Sequence, residues 1–248
     1  MVSDAPTPGL DEPLADWEAA GQLVLARDDV EAAAPYVEAQ AMAQAGEALA
    51  GITVRGIDPE LETKVSTIGS VMTSGDLGDL TSGSYRVVIG QQLATFLGVE
   101  VGDEVVLVLA EAMVTIAGLA PRVRSFTVAG IFDAGMYEYD RGLVFTSFDD
   151  AARLFKTRGD ATGLRLAIPD LYNARDVAMA AAKELANERG ADLSIEDWTR
   201  LHYTFFRSIQ LQKSMMFVIL SLVIAVAAFN IVSTLMMVVR DKRGDIAI

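Results

Sequence analysis

The spacing of hydrophobic and polar positions changes several times along the chain, and each change predicts a new element. Leu14, Trp17, Gly21, Val24 and Leu25 fall near one face of a 3.6-residue repeat, which predicts an amphipathic helix over residues 14–26. Residues 32–46 are rich in alanine, which favours a helix, but Pro35 and the alternation of Tyr36, Glu38 and Gln40 against Val37, Ala39 and Ala41 favour a strand. We read a strand, because residues 52–59 alternate as well and follow a short glycine-containing turn, so the two make a hairpin. Pro59 suits the first position of the next helix. Near Ser70 the texture changes to a run of turn formers, "MTSGDLGDLTSGS". Beyond it "YRVVIG", Val105 to Leu109, "RSFTVAGIF" and "GLVFTS" read as strands, with helices at "QQLATFLG" and "FDDAARLF" and a turn at Gly102 and Asp103. "GLRLAIPD", a helix over residues 173–189 and the strand "ADLSI" return to an α/β pattern.

This order predicts an α+β body in which an α/β module is interrupted by a β-rich insertion. The first segment is residues 1–69, the insertion 70–147 and the second segment 148–196. Trp198, Leu201, Phe205 and Ile209, spaced by three, four and four, place one apolar stripe on a helix over residues 197–214. That helix either packs on its own domain or lies at a membrane interface with Tyr203 and Phe206 at headgroup level. The uncharged run 215–239 follows directly. As a helix it is roughly 37 Å long, more than the ~30 Å hydrocarbon core of a bilayer, so we read a transmembrane span.

Charge adds a topology. The formal net charge is −14, while the tail 240–248 carries +1 and leaves −15 on everything before it. An acidic body disfavours nucleic acid and anionic lipid surfaces. Arg240, Lys242 and Arg243 directly after the span favour a cytoplasmic C-terminus and an external body, though Arg207 and Lys213 on the other flank reduce the bias. The first seventeen residues lack the basic and apolar regions of a secretory signal. Two readings stay open: a piece of a longer chain with an earlier membrane helix, or a tail-anchored protein.

The chain has no cysteine and a single histidine, His202, so thiolate metal sites and histidine-based acyl transfer have no residues to build on. No G-x-x-x-x-G-K-[ST] loop occurs, and any ATP-derived work must enter through another subunit. We therefore assign no catalytic, cofactor or metal residues. Within the span, Ser221, Ala225 and Ala228 at i, i+4 and i+7 form a small-residue face on which another helix can pack closely. Asn230, Ser233 and Thr234 add a polar patch, either for interhelical hydrogen bonds or along a substrate path.

"FNIVSTLMMVVRDKRGDIAI", residues 229–248, resembles the second membrane helix and following turn of the LolC/LolE permeases of lipoprotein-releasing ABC transporters. "APYVEAQAM", "VRGIDPELE", "VIGQQLATFLGVEVGDEV", "GLAPRVRSFTVAGIFDAGMYEYDRGLVF", "DDAARLF" and "MMFVILSLVIAVAAFNIV" follow that family's pattern in its order. Single pieces such as G-x-x-V-G-D-E-V are shared with MacB-type and FtsX-type relatives; the ordered set carries the resemblance.

The resemblance implies a MacB-type periplasmic core domain, with a porter-like α/β part and an inserted β-rich part, followed by a transmembrane helix. Residues 1–214 would be periplasmic, in a multi-pass protein of the bacterial inner membrane, and the cytoplasmic coupling segment would begin within 240–248. The implied partners are a second permease subunit, cytoplasmic ATPase subunits, membrane lipid, triacylated lipoproteins as cargo and the soluble periplasmic carrier LolA. In the LolC type a hook loop docks the carrier, and by position it falls on residues 111–125. There Gly118 and Pro121 would make a bend, Val114, Ile116 and Leu119 would be apolar anchors, and Arg122 and Arg124 would pair with carboxylates of a partner; an ordinary hairpin tip is the competing reading. "FNIVST" and "DKRGDIA" look like LolE, which contacts the cargo, whereas "GLAPRVRSFTVAGIF" and "YEYD" fit LolC or a merged single-permease form.

Overall fold

Alternating segments separated by glycine turns become strands of one sheet. The computed structural model describes residues 2–4, 14–115, 118–170, 173–189, 193–195 and 203–246. In chain order the elements are β1 (Val2–Asp4), α1 (Trp17–Leu25), β2 (Ala32–Ala45), β3 (Ala48–Ile57), α2 (Pro59–Val65), β4 (Met72–Gly75), β5 (Arg86–Gly90), α3 (Gln91–Leu97), β6 (Glu104–Thr115), β7 (Gly118–Phe132), α4 (Tyr137–Gly142), β8 (Leu143–Ser147), α5 (Phe148–Phe155), β9 (Gly163–Ala167), α6 (Ala174–Arg189), β10 (Leu193–Ile195) and α7 (Tyr203–Ile246). They divide into two units, Met1–Asp197 and Trp198–Ile248.

The alanine-rich segment is a strand, as its alternation predicts. β2 pairs antiparallel with β3 through a two-residue turn between Ala45 and Ala48, where Gly46 takes the left-handed φ of 57°. Ala41 and Ala43 are buried while Met42 and Gln44 are exposed, the period-two pattern of a half-buried strand. Small side chains at alternate positions suit a strand that must pass close to helices packed on it.

The strand order is β10-β1-β9-β2-β3-β8-β5-β7-β4, and β6 pairs with both β2 and β7. Following the pairings from β2 through β3, β8, β5, β7 and β6 leads back to β2, so these strands close into a ring. Closure removes the exposed edges that an open sheet would have. Val37, Ile52, Val54, Val87, Ile89, Leu107, Phe126, Val128 and Val144 form one core with Leu93 of α3 and Ala151, Leu154 and Phe155 of α5. Val88, Phe145, Ala129 and Phe132, displaced by one residue in their strands, belong to a second core with Ile68, Leu77 and Leu80. Strand β8 contributes to both and is buried along its whole length, which explains its unbroken apolar start.

A third core contains Leu14, Ala20, Val24, Val30, Leu164, Val177, Ala181 and Leu185. It joins the first and last segments of the unit without any residue from 70–147. The ring, in contrast, takes β2 and β3 from before residue 70, so the β-rich stretch does not close by itself. The turn-former run at residues 72–84 is more ordered than its composition suggests: Met72–Gly75 is a strand on β7 and Leu77–Asp79 a single 3₁₀ turn, with another 3₁₀ turn, Ile68–Val71, just before the run.

One cluster of charges lies inside this unit. Glu38 stands directly opposite Arg55 in the β2–β3 register, and its Oε2 accepts from the Arg55 Nε at 2.6 Å. Glu62 of α2 is fully buried and is held by Arg165 of β9, whose Nη1 donates to Oε1; its other oxygen, Oε2, has no hydrogen-bond partner. Burial pulls Arg55 down, but the charge and hydrogen bond of Glu38 carry it above the ordinary arginine value. Arg165 goes below that value, first through burial and then through the like charge of Arg55. Both remain cations, because arginine starts too far above neutrality for these shifts to deprotonate it.

Candidate functional site

The hairpin of β6 and β7 is longer than the sequence suggests. Residues 111–125 read as a loop, whereas the structure pairs β6 with β7 from Glu104 opposite Thr127 out to Thr115 opposite Gly118. Gly118 and Pro121 therefore do not form a bend: both lie in β7, and the chain reverses between Thr115 and Gly118. Pro121 faces Ala112 where β7 has no second neighbour, so its missing N–H costs the ladder nothing on that side. Val114 and Leu119 form a registered pair near the tip. Ile116 lies outside the described residues.

The ribbon leaves the ring at a definite point. Strand β2 accompanies β6 only from Val106 to Leu109. Directly afterwards the register skips from Leu109 opposite Arg122 to Ala112 opposite Pro121, so Ala110 and Glu111 form a bulge. Bulges bend a strand and increase its twist, which accounts for the parting of β6 from β2 at this place. Four registered pairs lie beyond, about 10 Å of two-stranded ribbon before the turn.

Both arginines of the predicted hook engage the body at the ribbon's base. The Nη1 of Arg122 donates to the carbonyl oxygen of Leu154 at 2.6 Å. Leu154 lies in the last turn of α5, where carbonyls lack helical partners and carry the negative end of the helix dipole, so a cation is well matched there. The guanidinium of Arg124 sits 3.9 Å above the ring of Tyr85, which meets Phe126 edge-on at 5.7 Å. Tyr85 has a φ of 49°, unusual for a bulky residue, and its N–H donates to Oδ2 of buried Asp150 at 3.0 Å. The Oδ1 of Asp150 accepts from the N–H of Gly83 at 2.9 Å. None of these contacts is visible as a spacing. Only the S-F-D-D start of α5, where the Asp150 N–H donates to the hydroxyl of Ser147, had a recognisable capping pattern.

In the second unit, α7 runs without interruption from Tyr203 to Ile246, so the apolar stripe and the long hydrophobic run are one helix as far back as Tyr203. Trp198, Leu201 and His202 lie outside the described residues. Ser208–Arg240, 33 residues, is long and apolar enough to cross a membrane, and its side chains are exposed throughout. At about 100° per residue, Ser221, Ala225 and Ala228 share one face, whereas Asn230, Ser233 and Thr234 fall on the opposite side. The two candidate groups therefore address different neighbours. Thr234 donates its hydroxyl back to the carbonyl of Asn230 at 2.8 Å, which satisfies it within the helix. Among the described residues no group of three or more His, Asp or Glu is placed to hold a metal ion.

Comparison with known proteins gives this geometry a family. Residues 2–186 match the MacB-like periplasmic core domain. The chain is 39% identical over 236 residues to the lipoprotein-releasing system transmembrane protein LolC of Xylella fastidiosa strain Temecula1, covering 95% of this chain and 56% of that protein. It is 41% identical over 234 residues to LolC of Neisseria meningitidis serogroup B, covering 94% and 55%. Against LolE of Haemophilus influenzae the identity is 29% over 235 residues, covering 94% and 55%. The chain thus spans just over half the length of these relatives. In fold it is similar to the periplasmic region of MacB from Actinobacillus actinomycetemcomitans, with a TM-score of 0.54 at 11% identity over 82% of this chain and 90% of that one. The chain belongs to the family of MacB-like periplasmic core domains and, within it, with the LolC/LolE proteins of lipoprotein-releasing systems.

Proposed function

We propose that this chain is the periplasmic domain and second membrane helix of a LolC-type permease, in an inner-membrane ABC transporter that lifts triacylated lipoproteins out of the lipid and passes them to a LolA-type carrier. The observation that carries the reading is the two-stranded ribbon that leaves the ring after Leu109, on a chain 39–41% identical to proteins named LolC. A paired ribbon offers a partner a preformed surface and loses little entropy on docking. The three matches at 38–41% identity all carry the name LolC, which supports the LolC type over the cargo-contacting type. Hydrolysis of ATP belongs to separate cytoplasmic subunits, and a second permease completes the membrane path.

In this reading the small-residue face of α7 packs against a neighbouring helix, more closely in one transport state than in the other. Ala225→Leu adds bulk at its centre and should slow lipoprotein release by roughly tenfold, equivalent to about 1.4 kcal/mol. Release from spheroplasts by the assembled transporter is the measurement, and an unchanged rate removes this face from the mechanism.

The docking role is tested with a photo-crosslinking residue at Leu119 in the complete permease. Specific capture of the periplasmic carrier is expected. No capture, with the transporter assembled and releasing lipoprotein, would reject the LolC-type role and favour a cargo-contacting LolE-type subunit.

A further inference from the structure

We propose that Arg122 is a positioning residue: it braces the ribbon against the C-terminal end of α5 and thereby sets the angle at which the ribbon projects. This inference rests on the docking role proposed above and gives that role a mechanical basis.

The argument starts from the bulge. Ala110 and Glu111 interrupt the ladder where β6 parts from β2, and a two-stranded ribbon free on both edges has no sheet neighbour to fix its direction. Something other than strand pairing must hold it. Arg122 is opposite Leu109, the last residue of β6 that still has β2 beside it, so it stands at the hinge. Its side chain is partly buried and reaches α5, an element of the ring's core that does not belong to the hairpin. The bond is charge-assisted and short, at 2.6 Å. It also ends on a carbonyl that the helix itself leaves unpaired.

Two residues along, Arg124 lies over Tyr85, so the same strand is tied to the body twice within three positions. The contacts differ in kind. Arg124 is exposed and stacked, which leaves its N–H groups able to meet a partner, whereas Arg122 already spends a donor on Leu154. The sequence suggests that both arginines pair with carboxylates of a partner; the geometry assigns Arg122 to the ribbon's own support. Beyond the hinge the strands pair only with each other, so a rotation at Arg122 carries the whole ribbon, about 10 Å long, with it. Docking that requires a particular approach depends on that angle.

The test uses the complete permease in its assembled transporter, with spin labels at Leu119 and Glu47 and, separately, the crosslinking residue at Leu119. Wild type should give a narrow distance distribution. Arg122→Met should broaden or shift it and lower carrier crosslinking by roughly tenfold, as expected for losing one bond to a charged group. Thermal unfolding of the periplasmic unit should change little. Arg122→Lys, which keeps a donor on a stem of similar reach, should restore the narrow distribution. If Arg122→Met keeps the wild-type distances while crosslinking falls, Arg122 contacts the carrier directly and the brace is wrong, although docking stands. If neither changes, the brace is also wrong. If the distances broaden but even the wild type captures no carrier, the brace holds and the docking reading fails.

Discussion

Arg165→Met is expected to destabilise the periplasmic unit by about 3 kcal/mol, the low end of what removal of one member of a buried ion pair costs. The pair is unequal. Glu62 is completely buried, whereas the side chain of Arg165 is 25% exposed. Deleting the arginine therefore leaves the costlier partner, a carboxylate with no water, in a site where one of its oxygens already lacks a hydrogen bond. An opposing term exists: Arg165 and Arg55 repel each other, and the substitution relieves this. It does not win, because the Arg55 guanidinium is already bonded to Glu38 and remains there. In a domain of this size each kcal/mol moves the melting temperature by about 2–4 °C, so a fall of roughly 6–12 °C is expected in a soluble fragment ending at Asp197. The double variant Glu62→Leu/Arg165→Met separates charge from packing. It should recover most of the loss, since buried pairs replaced by apolar groups of similar volume are often neutral. A single variant within 1 kcal/mol of wild type in urea unfolding would show that the pair contributes little.

The position of this pair bears on how much of the molecule can be read from its sequence. Glu38 and Arg55 flank a hairpin whose turn is marked by Gly46, so their pairing follows from register and was accessible in principle. Glu62 and Arg165 are 103 residues apart and meet only because β9 returns beside β2, a crossover that no local pattern encodes. The same division holds throughout the unit. The helix α5 and the short strand β8 stand where the sequence places them, and α1 falls inside the expected 14–26, whereas β3 spans Ala48–Ile57 rather than 52–59. Ring closure was not legible, because the pairing of β6 with β2 is a long-range contact between two strands that each already have an obvious hairpin partner. The bend expected at Gly118 and Pro121 is paired strand instead. Glycine and proline are turn formers on average, and here the pairing of β6 with β7 overrides that preference. In α7 the small and the polar group lie on one continuous helix, where their spacing turns them to opposite sides.

A comparable loss is expected for Asp150→Ala, by about 2–4 kcal/mol, with a consequence for the ribbon that Arg165→Met does not have. Asp150 is fully buried and accepts from the N–H groups of Gly83 and Tyr85, one on each carboxylate oxygen, and its Oδ1 also accepts from Nη1 of the exposed Arg153 at 3.2 Å. Removing the carboxylate deprives both donors of a charged partner; because Gly83 is exposed and Tyr85 only half-buried, water takes up part of the loss, which leaves about 1–2 kcal/mol each. Those donors belong to residues with left-handed backbones, φ 79° at Gly83 and 49° at Tyr85. Glycine adopts this conformation freely, but tyrosine does so at a cost of roughly 1–2 kcal/mol and stays there because the carboxylate holds it. Without Asp150, Tyr85 should relax toward negative φ and carry its ring away from Phe126 and from beneath Arg124. Asp150→Asn provides the control for volume: its amide can accept from only one of the two donors and turns N–H groups toward the other, so it too should lose stability. Two measurements check the chain of contacts. Urea unfolding should give the stability loss. Hydrogen exchange should show faster opening at residues 83–85 and at 122–126, with the β2–β3 hairpin as slow as in wild type relative to global unfolding. Stability lost uniformly, with no selective change at the ribbon's base, would mean that Asp150 supports the fold but does not transmit order to the docking element.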